Sequence, residues 1–292
     1  MGNRNFFEGL YTALITPFKA DGSLDEEGFR LLVKRQVNAR VDGILVLGST
    51  GESPTLSDAE GERLISIARE ESQGKTALIV GVGTNSTALS ITKAKKAQAM
   101  QADGLMVVNP YYNKPTQEGL YCHFREVAKA TNLPIILYNH PGRTGVNIKL
   151  ETLKKLSEIE NIVAVKDCSG SIQQVIEFCY AFRMSDFAIL TGCDPDTLAV
   201  MAIGGAGVLS VVSNLVPEQM LTFVNTIRKG DLLKARELHF ELMPIFKAAE
   251  IESNPIPIKY MMKSQGLPAG DGRLPLTPLQ DIYKKEVDVL LG

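Results

Sequence analysis

The chain is poor in the residues on which metal centres and disulfide frameworks depend. Its 292 residues include three histidines, four cysteines and no tryptophan. No two cysteines form a CxxC pair and the histidines are widely separated, so we expect neither a structural zinc site nor another metal site. We expect the cysteines to stay reduced, as is usual in the cytoplasm, and they are Cys122, Cys168, Cys179 and Cys193.

Excess charge and long apolar runs are also lacking. The formal net charge is -2, too close to neutral to indicate a nucleic acid or a membrane surface as partner. No apolar run reaches the roughly 18 residues that a transmembrane helix requires. The N-terminal sequence MGNRNFFEGL has no apolar stretch of the kind found in signal peptides. These features predict a cytoplasmic protein.

Short apolar segments alternate with longer amphipathic ones along most of the chain. The apolar segments are rich in β-branched residues and bounded by Gly, Asn or Pro, which predicts strands. They are apolar throughout, which is typical of strands buried on both faces. The predicted strands are 10–16, 43–48, 77–83, 104–109, 134–139, 162–167, 187–192 and 206–211. Predicted helices between them include 24–40, 56–72, 86–102 and 117–131, the second with Ser57 and Glu60 as a capping box.

Eight strand–helix units without a long linker predict an α/β fold with a parallel sheet, closed into a (β/α)8 TIM barrel. An open, doubly wound sheet is the alternative, but no glycine-rich dinucleotide fingerprint follows the first strand. After about residue 229 only helical patterns occur, at 229–250, 255–266 and 277–292. We therefore predict a catalytic barrel over 1–229 and a small helical domain over 230–292.

The active site of such a barrel lies at the carboxyl ends of its strands, and Lys166 is the most informative residue there. It follows four apolar strand residues, and burial in a barrel disfavours the charged form of an amine. A neutral amine can attack a ketone to form an imine. A surface lysine at a strand end is an equally acceptable interpretation of this position alone.

Three other features fall at predicted strand ends. Tyr138 ends the fifth strand and could relay protons. The GSTGES turn after the second strand offers amides and hydroxyls for a carboxylate, and Arg143 in the loop after Tyr138 could bind a carboxylate with both guanidinium nitrogens. Each also has an ordinary interpretation, as a packed tyrosine, a common glycine-serine turn and a solvated loop arginine.

Five motifs in register give the whole chain a resemblance to the pyruvate-dependent class I aldolase family. This resemblance implies that Lys166 forms a Schiff base with pyruvate and that no metal or organic cofactor is required. The motifs are GSTGES (48–53), PYYNKP (110–115), YNHPGRTG (138–145), VKDCSG (165–170) and NPIPIK (254–259).

The resemblance also implies roles for further residues. Tyr138 would donate and relay protons, with the Ser49 hydroxyl as its partner. Tyr112 would complete the relay from the neighbouring subunit of a homo-oligomer, a dimer or a dimer of dimers. The implied reaction adds the pyruvate enamine to L-aspartate 4-semialdehyde, at the entry to diaminopimelate and lysine biosynthesis.

Three residues would bind the substrates if the resemblance holds. Thr50 would hold the pyruvate carboxylate, Arg143 would receive the carboxylate of aspartate 4-semialdehyde, and the backbone of Leu209 would line the pyruvate pocket. Arginine at 143 and the PYYNKP motif favour this reaction over that of an N-acetylneuraminate lyase or a 2-keto-3-deoxy sugar acid aldolase. A non-catalytic, pyruvate-binding regulatory barrel would be expected to lack the lysine or the tyrosines.

The chain departs from the family pattern at several positions. Ser49 stands where threonine is frequent, which keeps the hydroxyl but loses a restraining methyl. His140 stands where an apolar residue is usual, and we expect it to be packed and hydrogen-bonded. Cys168, two residues beyond Lys166, is expected to serve as small core packing.

The lysine-binding site of feedback-inhibited family members is also altered. The histidine and the glutamate that hold L-lysine in those members correspond here to Gly61 and Leu89, while Asn85 and Tyr111 are kept. Loss of a carboxylate partner for the ligand ammonium should weaken binding substantially. We therefore expect weak inhibition by L-lysine, or none.

Overall fold

The computed structural model describes residues 6–291 and shows parallel strands joined in a closed barrel in the order β1 to β8. The predicted TIM barrel is thus confirmed, and the open sheet is wrong. Most strand residues are buried, as the continuously apolar segments predicted. The strands are β1 Gly9–Ala13, β2 Gly43–Val46, β3 Ala77–Gly81, β4 Gly104–Val108, β5 Ile135–Asn139, β6 Ile162–Asp167, β7 Ala188–Thr191 and β8 Gly207–Ser210.

Helices follow the strands and continue to the end of the described chain. Ser57 and Glu60 form the predicted capping box at the start of α2. The last helix begins later than predicted, at Asp281, and residues 277–280 before it are not helical. The helices are α1 Glu26–Ala39, α2 Asp58–Ser72, α3 Thr87–Ala99, α4 Gln117–Lys129, α5 Pro141–Thr144, α6 Leu150–Ser157, α7 Ile172–Phe182, α8 Thr197–Ala202, α9 Pro217–Arg228, α10 Leu232–Glu250, α11 Ile256–Ser264 and α12 Asp281–Leu291.

The chain divides into two compact units. The first comprises Ile79–Leu209 with residues 6–9, and the Gly9 N–H donates to the Ala206 carbonyl at 2.9 Å. The second comprises Leu10–Leu78 with the chain from Ser210 onward. The domain boundary at residue 229 stays a prediction.

The second unit combines two strands with the C-terminal helices. Strands β1 and β2 pair in parallel in this unit. The buried Asn214 side chain accepts from the Ile15 N–H at 3.1 Å and donates to the Ala13 carbonyl at 2.7 Å. Residues that follow the last strand therefore fix the end of the first. Among the helices of residues 6–291, none is both long and apolar enough to cross a membrane.

Candidate active site

Lys166 and Tyr138 lie side by side at the carboxyl ends of β6 and β5. The two residues are register partners in the parallel ladder. Both are buried, with 4% and 5% of their surface exposed. The Lys166 Nζ lies 4.5 Å from the centroid of the Tyr138 ring, within the range of a cation–π contact. An amine and a phenol therefore lie next to each other at these strand ends.

Gly192, directly after β7, provides the space that the lysine side chain occupies. A Cβ atom at this position would overlap the Lys166 Cε and would lie 3.0 Å from Nζ. The Gly192 N–H donates to the Asp167 carbonyl at 3.2 Å, which fixes the backbone next to the lysine. The sequence placed Gly192 at a strand end but indicated no role for it.

A buried polar network lies one residue beyond each of the two candidate catalytic residues. Asn139 donates through Nδ2 to the Asp167 Oδ2 at 2.8 Å, and its Oδ1 accepts from the Asn109 Nδ2 at 2.9 Å. Gln174 donates to the same Asp167 oxygen at 2.9 Å. Successive strand residues point to opposite faces, so this network ties the ends of β4, β5 and β6 together behind the lysine and tyrosine. Sequence reasoning missed it, although a polar residue follows each of Val108, Tyr138 and Lys166.

His140 packs against Tyr138, as expected, but one of its ring nitrogens has no hydrogen bond within the described residues. Its ring lies 5.9 Å from that of Tyr138 in an edge-to-face arrangement. Within the described part of the chain, its buried Nδ1 has no hydrogen-bond partner, so the expected hydrogen bond is absent at this atom. Burial, followed by the charges of Arg143 and Lys166, lowers the pKa of His140 to about 4. The ring is therefore neutral near neutral pH.

Cys168 faces a second thiol rather than a purely apolar surface. The Cys193 side chain is hydrogen-bonded to Cys168, and this bond, with help from the Lys166 charge, lowers the pKa of Cys168. The same bond raises the pKa of Cys193. Both cysteines are free thiols. They fill the space beside Lys166 on the side of β7.

Ser49 and Thr50 belong to the second unit, in the GSTGES loop after β2. Thr50 is 3% exposed, and its Oγ1 accepts a hydrogen bond from the Asn254 Nδ2 at 3.0 Å. Ser49 is half-buried. The sequence predicted both hydroxyls as site residues, and Asn254 appeared in a quoted motif without a role.

The other predicted residues occupy different environments. Leu209 is buried in β8, and Arg143 is exposed on the short helix α5. Tyr112 has 89% of its surface exposed in this single chain, and its φ of 75° is unusual for a residue other than glycine. No group of three or more His, Cys, Asp or Glu side chains suited to a metal ion occurs in residues 6–291.

Comparisons with known proteins agree over nearly the full chain. The model of the Dihydrodipicolinate synthetase family matches residues 6–292. A 4-hydroxy-tetrahydrodipicolinate synthase from Protochlamydia amoebophila is 49% identical, with 98% of this chain and 96% of the relative covered. The crystal structure of dihydrodipicolinate synthase from Aquifex aeolicus superposes with a TM-score of 0.94 at 41% identity, covering 98% of this chain and 97% of that one. A structure described as the first monomeric dihydrodipicolinate synthase variant superposes with a TM-score of 0.96 at 40% identity, covering 99% and 97%.

Proposed function

Since the chain belongs to the Dihydrodipicolinate synthetase family, we propose that it condenses pyruvate with L-aspartate 4-semialdehyde through an imine on Lys166. Family membership confirms the resemblance seen in the sequence. The reaction is that of a lyase of the class I aldolase type, and its imine chemistry uses no external cofactor. It opens the diaminopimelate branch that leads to lysine. We propose that it takes place in the cytoplasm, where biosynthetic relatives of this kind would find pyruvate.

The adjacency of Lys166 and Tyr138 is the observation that carries this proposal. The other buried lysine among residues 6–291, Lys259, donates to the Glu52 carboxylate at 2.6 Å and is held in that ion pair. The Lys166 Nζ instead faces the Tyr138 ring. An amine that is buried beside a phenol can attack a carbonyl carbon and has a proton donor at hand.

The chemistry then follows from the properties of an imine. The Lys166 amine adds to the C2 carbonyl of pyruvate, and the resulting carbinolamine loses water as Tyr138 relays a proton to the departing hydroxyl. The imine nitrogen withdraws electrons, so that C3 loses a proton and becomes an enamine carbon. That carbon attacks the aldehyde of the second substrate. The substrate amine displaces Lys166 by transimination, which closes the ring and frees the enzyme.

We assign the remaining roles on the family pattern. Ser49 is the hydroxyl partner of Tyr138 in the proton relay, and Thr50 binds the pyruvate carboxylate through its hydroxyl and N–H. Arg143 binds the carboxylate of the semialdehyde, for which a planar guanidinium suits. The backbone of Leu209 lines the pyruvate pocket. Thr50 and Leu209 are buried in their own units, and Arg143 is exposed.

Tyr112 fits a role in a neighbouring subunit. A large aromatic side chain that is 89% exposed and held in a left-handed backbone conformation is suited to insertion elsewhere. We propose that it completes the proton relay of a partner in a homo-oligomer. The existence of a monomeric variant in the family makes the oligomeric state a property to be measured for this chain.

Trapping with borohydride tests the proposal directly. Pyruvate and borohydride are added to the purified protein, and peptide mass spectrometry locates the reduced adduct. We expect the adduct on Lys166 in the wild type and in a Lys263→Met control, and no adduct on that peptide in Lys166→Ala. Condensation with aspartate 4-semialdehyde is assayed on the same samples. An adduct without cyclic product would contradict the proposed second substrate, and no adduct on Lys166 would overturn the mechanism.

A further inference from the structure

The NPIPIK segment, residues 254–259, contacts the GSTGES loop, residues 48–53, at two points. Asn254 donates through Nδ2 to the Thr50 Oγ1 at 3.0 Å. Lys259, at the other end of the segment, donates to the Glu52 Oε1 at 2.6 Å. Both contacts lie within the second compact unit. The C-terminal helical region therefore binds the loop that presents Thr50.

Glu52 and Lys259 form an ion pair that is shielded from water. The two side chains are 0% and 3% exposed. The second oxygen of Glu52 accepts from the Arg273 backbone N–H at 2.9 Å, and Lys259 also donates to the Asp271 carbonyl at 3.2 Å. The Lys259 Nζ lies 4.4 Å from the Phe18 ring. A buried charge is tolerated only when it is paired and hydrogen-bonded in this way.

The loop needs such contacts because its backbone is strained. Glu52 has a φ of 54°, a left-handed conformation that residues with a Cβ adopt at a cost. Strained backbone of this kind persists where the surrounding contacts over-determine it. The carboxylate of the strained residue itself is the group held by Lys259 and Arg273, so these contacts oppose relaxation of the loop.

The Asn254 contact also sets which way the Thr50 hydroxyl donates. A hydroxyl has one hydrogen and two acceptor lone pairs. Since Thr50 Oγ1 accepts from the Asn254 amide, its own hydrogen is left to donate to another group. A carboxylate is an acceptor of the kind that such a hydroxyl would bind most strongly.

We propose that Asn254 and the Glu52–Lys259 pair are positioning residues that hold Thr50 for the carboxylate of pyruvate. This inference rests on the proposed function, in which Thr50 binds that carboxylate. If Asn254 and Lys259 position Thr50, the C-terminal helical region contributes to the affinity for pyruvate as well as to stability.

Asn254→Ala tests the proposal, because a positioning role predicts a change in the KM for pyruvate with little change in kcat. We expect the KM for pyruvate to rise roughly three- to tenfold, as befits one misdirected hydrogen bond, with kcat within about twofold of the wild type. Lys263→Met is the matched control, because Lys263 lies one turn beyond Lys259 on the same helix and is 61% exposed. Its KM should equal that of the wild type.

A second variant tests the proposal even if Asn254→Ala fails to fold. Glu52→Gln/Lys259→Met removes both charges together, which avoids the unpaired buried charge that either single change would leave. We expect the same rise in the KM for pyruvate, with a borohydride adduct still formed on Lys166 at saturating pyruvate. A lower melting temperature with unchanged KM in both variants would overturn the inference and leave only a structural role. Absence of the adduct in the wild type would instead refute the proposed function.

Discussion

Lys166 and Tyr138 face each other across the β5–β6 ladder, with the lysine Nζ 4.5 Å from the centroid of the tyrosine ring. Pairing of the two strands fixes this distance, and the network of Asn139 and Asp167 behind them fixes the strand ends. The tyrosine has two separable features, a ring against which the lysine packs and a hydroxyl to which we assign the proton relay. A variant that removes only the second can tell them apart.

Tyr138→Phe keeps the ring beside Lys166 and removes the hydroxyl. We expect kcat to fall by roughly 10²- to 10⁴-fold, the usual contribution of a positioned general acid–base group. Borohydride should still trap pyruvate on Lys166, only more slowly. Tyr180→Phe is the control. Tyr180 is 68% exposed on α7, so loss of its hydroxyl should leave kcat unchanged. A kcat for Tyr138→Phe within a few-fold of the wild type would show that the hydroxyl is not the relay.

Gly192→Ala tests whether the Lys166 side chain needs the space that the missing side chain of Gly192 leaves open. The added methyl would overlap the Lys166 Cε, so the amine must move from its place beside Tyr138. We expect the rate of adduct formation and kcat to fall at least about tenfold, since misplacement of a reacting group is costly. The protein should still fold.

Gly61→Ala is the matched control for that change. Gly61 lies inside α2, and a Cβ there would meet only the Leu47 side chain at an ordinary 3.5 Å. Alanine should stabilise the helix by up to about 1 kcal/mol and leave catalysis unchanged. If Gly192→Ala kept full activity, the position of the lysine side chain would not depend on this glycine.

The sequence was most informative where function depends on strand ends. Continuously apolar strands predicted the barrel, and the polar residues Tyr138 and Lys166 stood out because each follows such a strand. The anchoring of the GSTGES loop could not be predicted in the same way. Asn254 and Thr50 are separated by 204 residues, and Lys259 and Glu52 by 207. Pairings of that range appear only when the fold has brought the segments together, and no local periodicity encodes them.

L-Lysine should inhibit this enzyme weakly or not at all. The family resemblance implies that the positions that hold L-lysine in feedback-inhibited members correspond to Gly61 and Leu89 here, and neither side chain can pair with an ammonium. Loss of one charged hydrogen bond weakens binding by roughly 10- to 150-fold. Titration of L-lysine into the steady-state assay at constant ionic strength measures the effect. Leu89→Glu should lower the half-inhibitory concentration, whereas strong inhibition of the wild type would contradict the expectation.

Acid should selectively remove the contribution that Glu60 makes to stability. The Arg273 guanidinium binds both carboxylate oxygens, one at 3.0 Å, and lowers the pKa of Glu60 from 4.5 to about 2. Because the pKa is lower in the folded state, the unfolded state binds the proton first as pH falls. The contribution is therefore complete above about pH 5, declines through pH 4.5 and vanishes near pH 2.

Melting temperatures of the wild type and Glu60→Gln between pH 3 and pH 7 test this dependence. The wild type should melt higher at neutral pH, and the gap between the two proteins should narrow as pH falls below 4.5. Glu237→Gln breaks a pair whose side chains are 51% and 62% exposed, so its gap should stay near zero at every pH. A difference in melting temperature between the wild type and Glu60→Gln that stayed constant down to pH 3 would mean that folding does not change the pKa of this carboxyl. The Arg273 backbone N–H also donates to Glu52. Loss of the Glu60–Arg273 bond, by acid or by substitution, would therefore loosen the segment that anchors the GSTGES loop. The KM for pyruvate should then rise in Glu60→Gln as well.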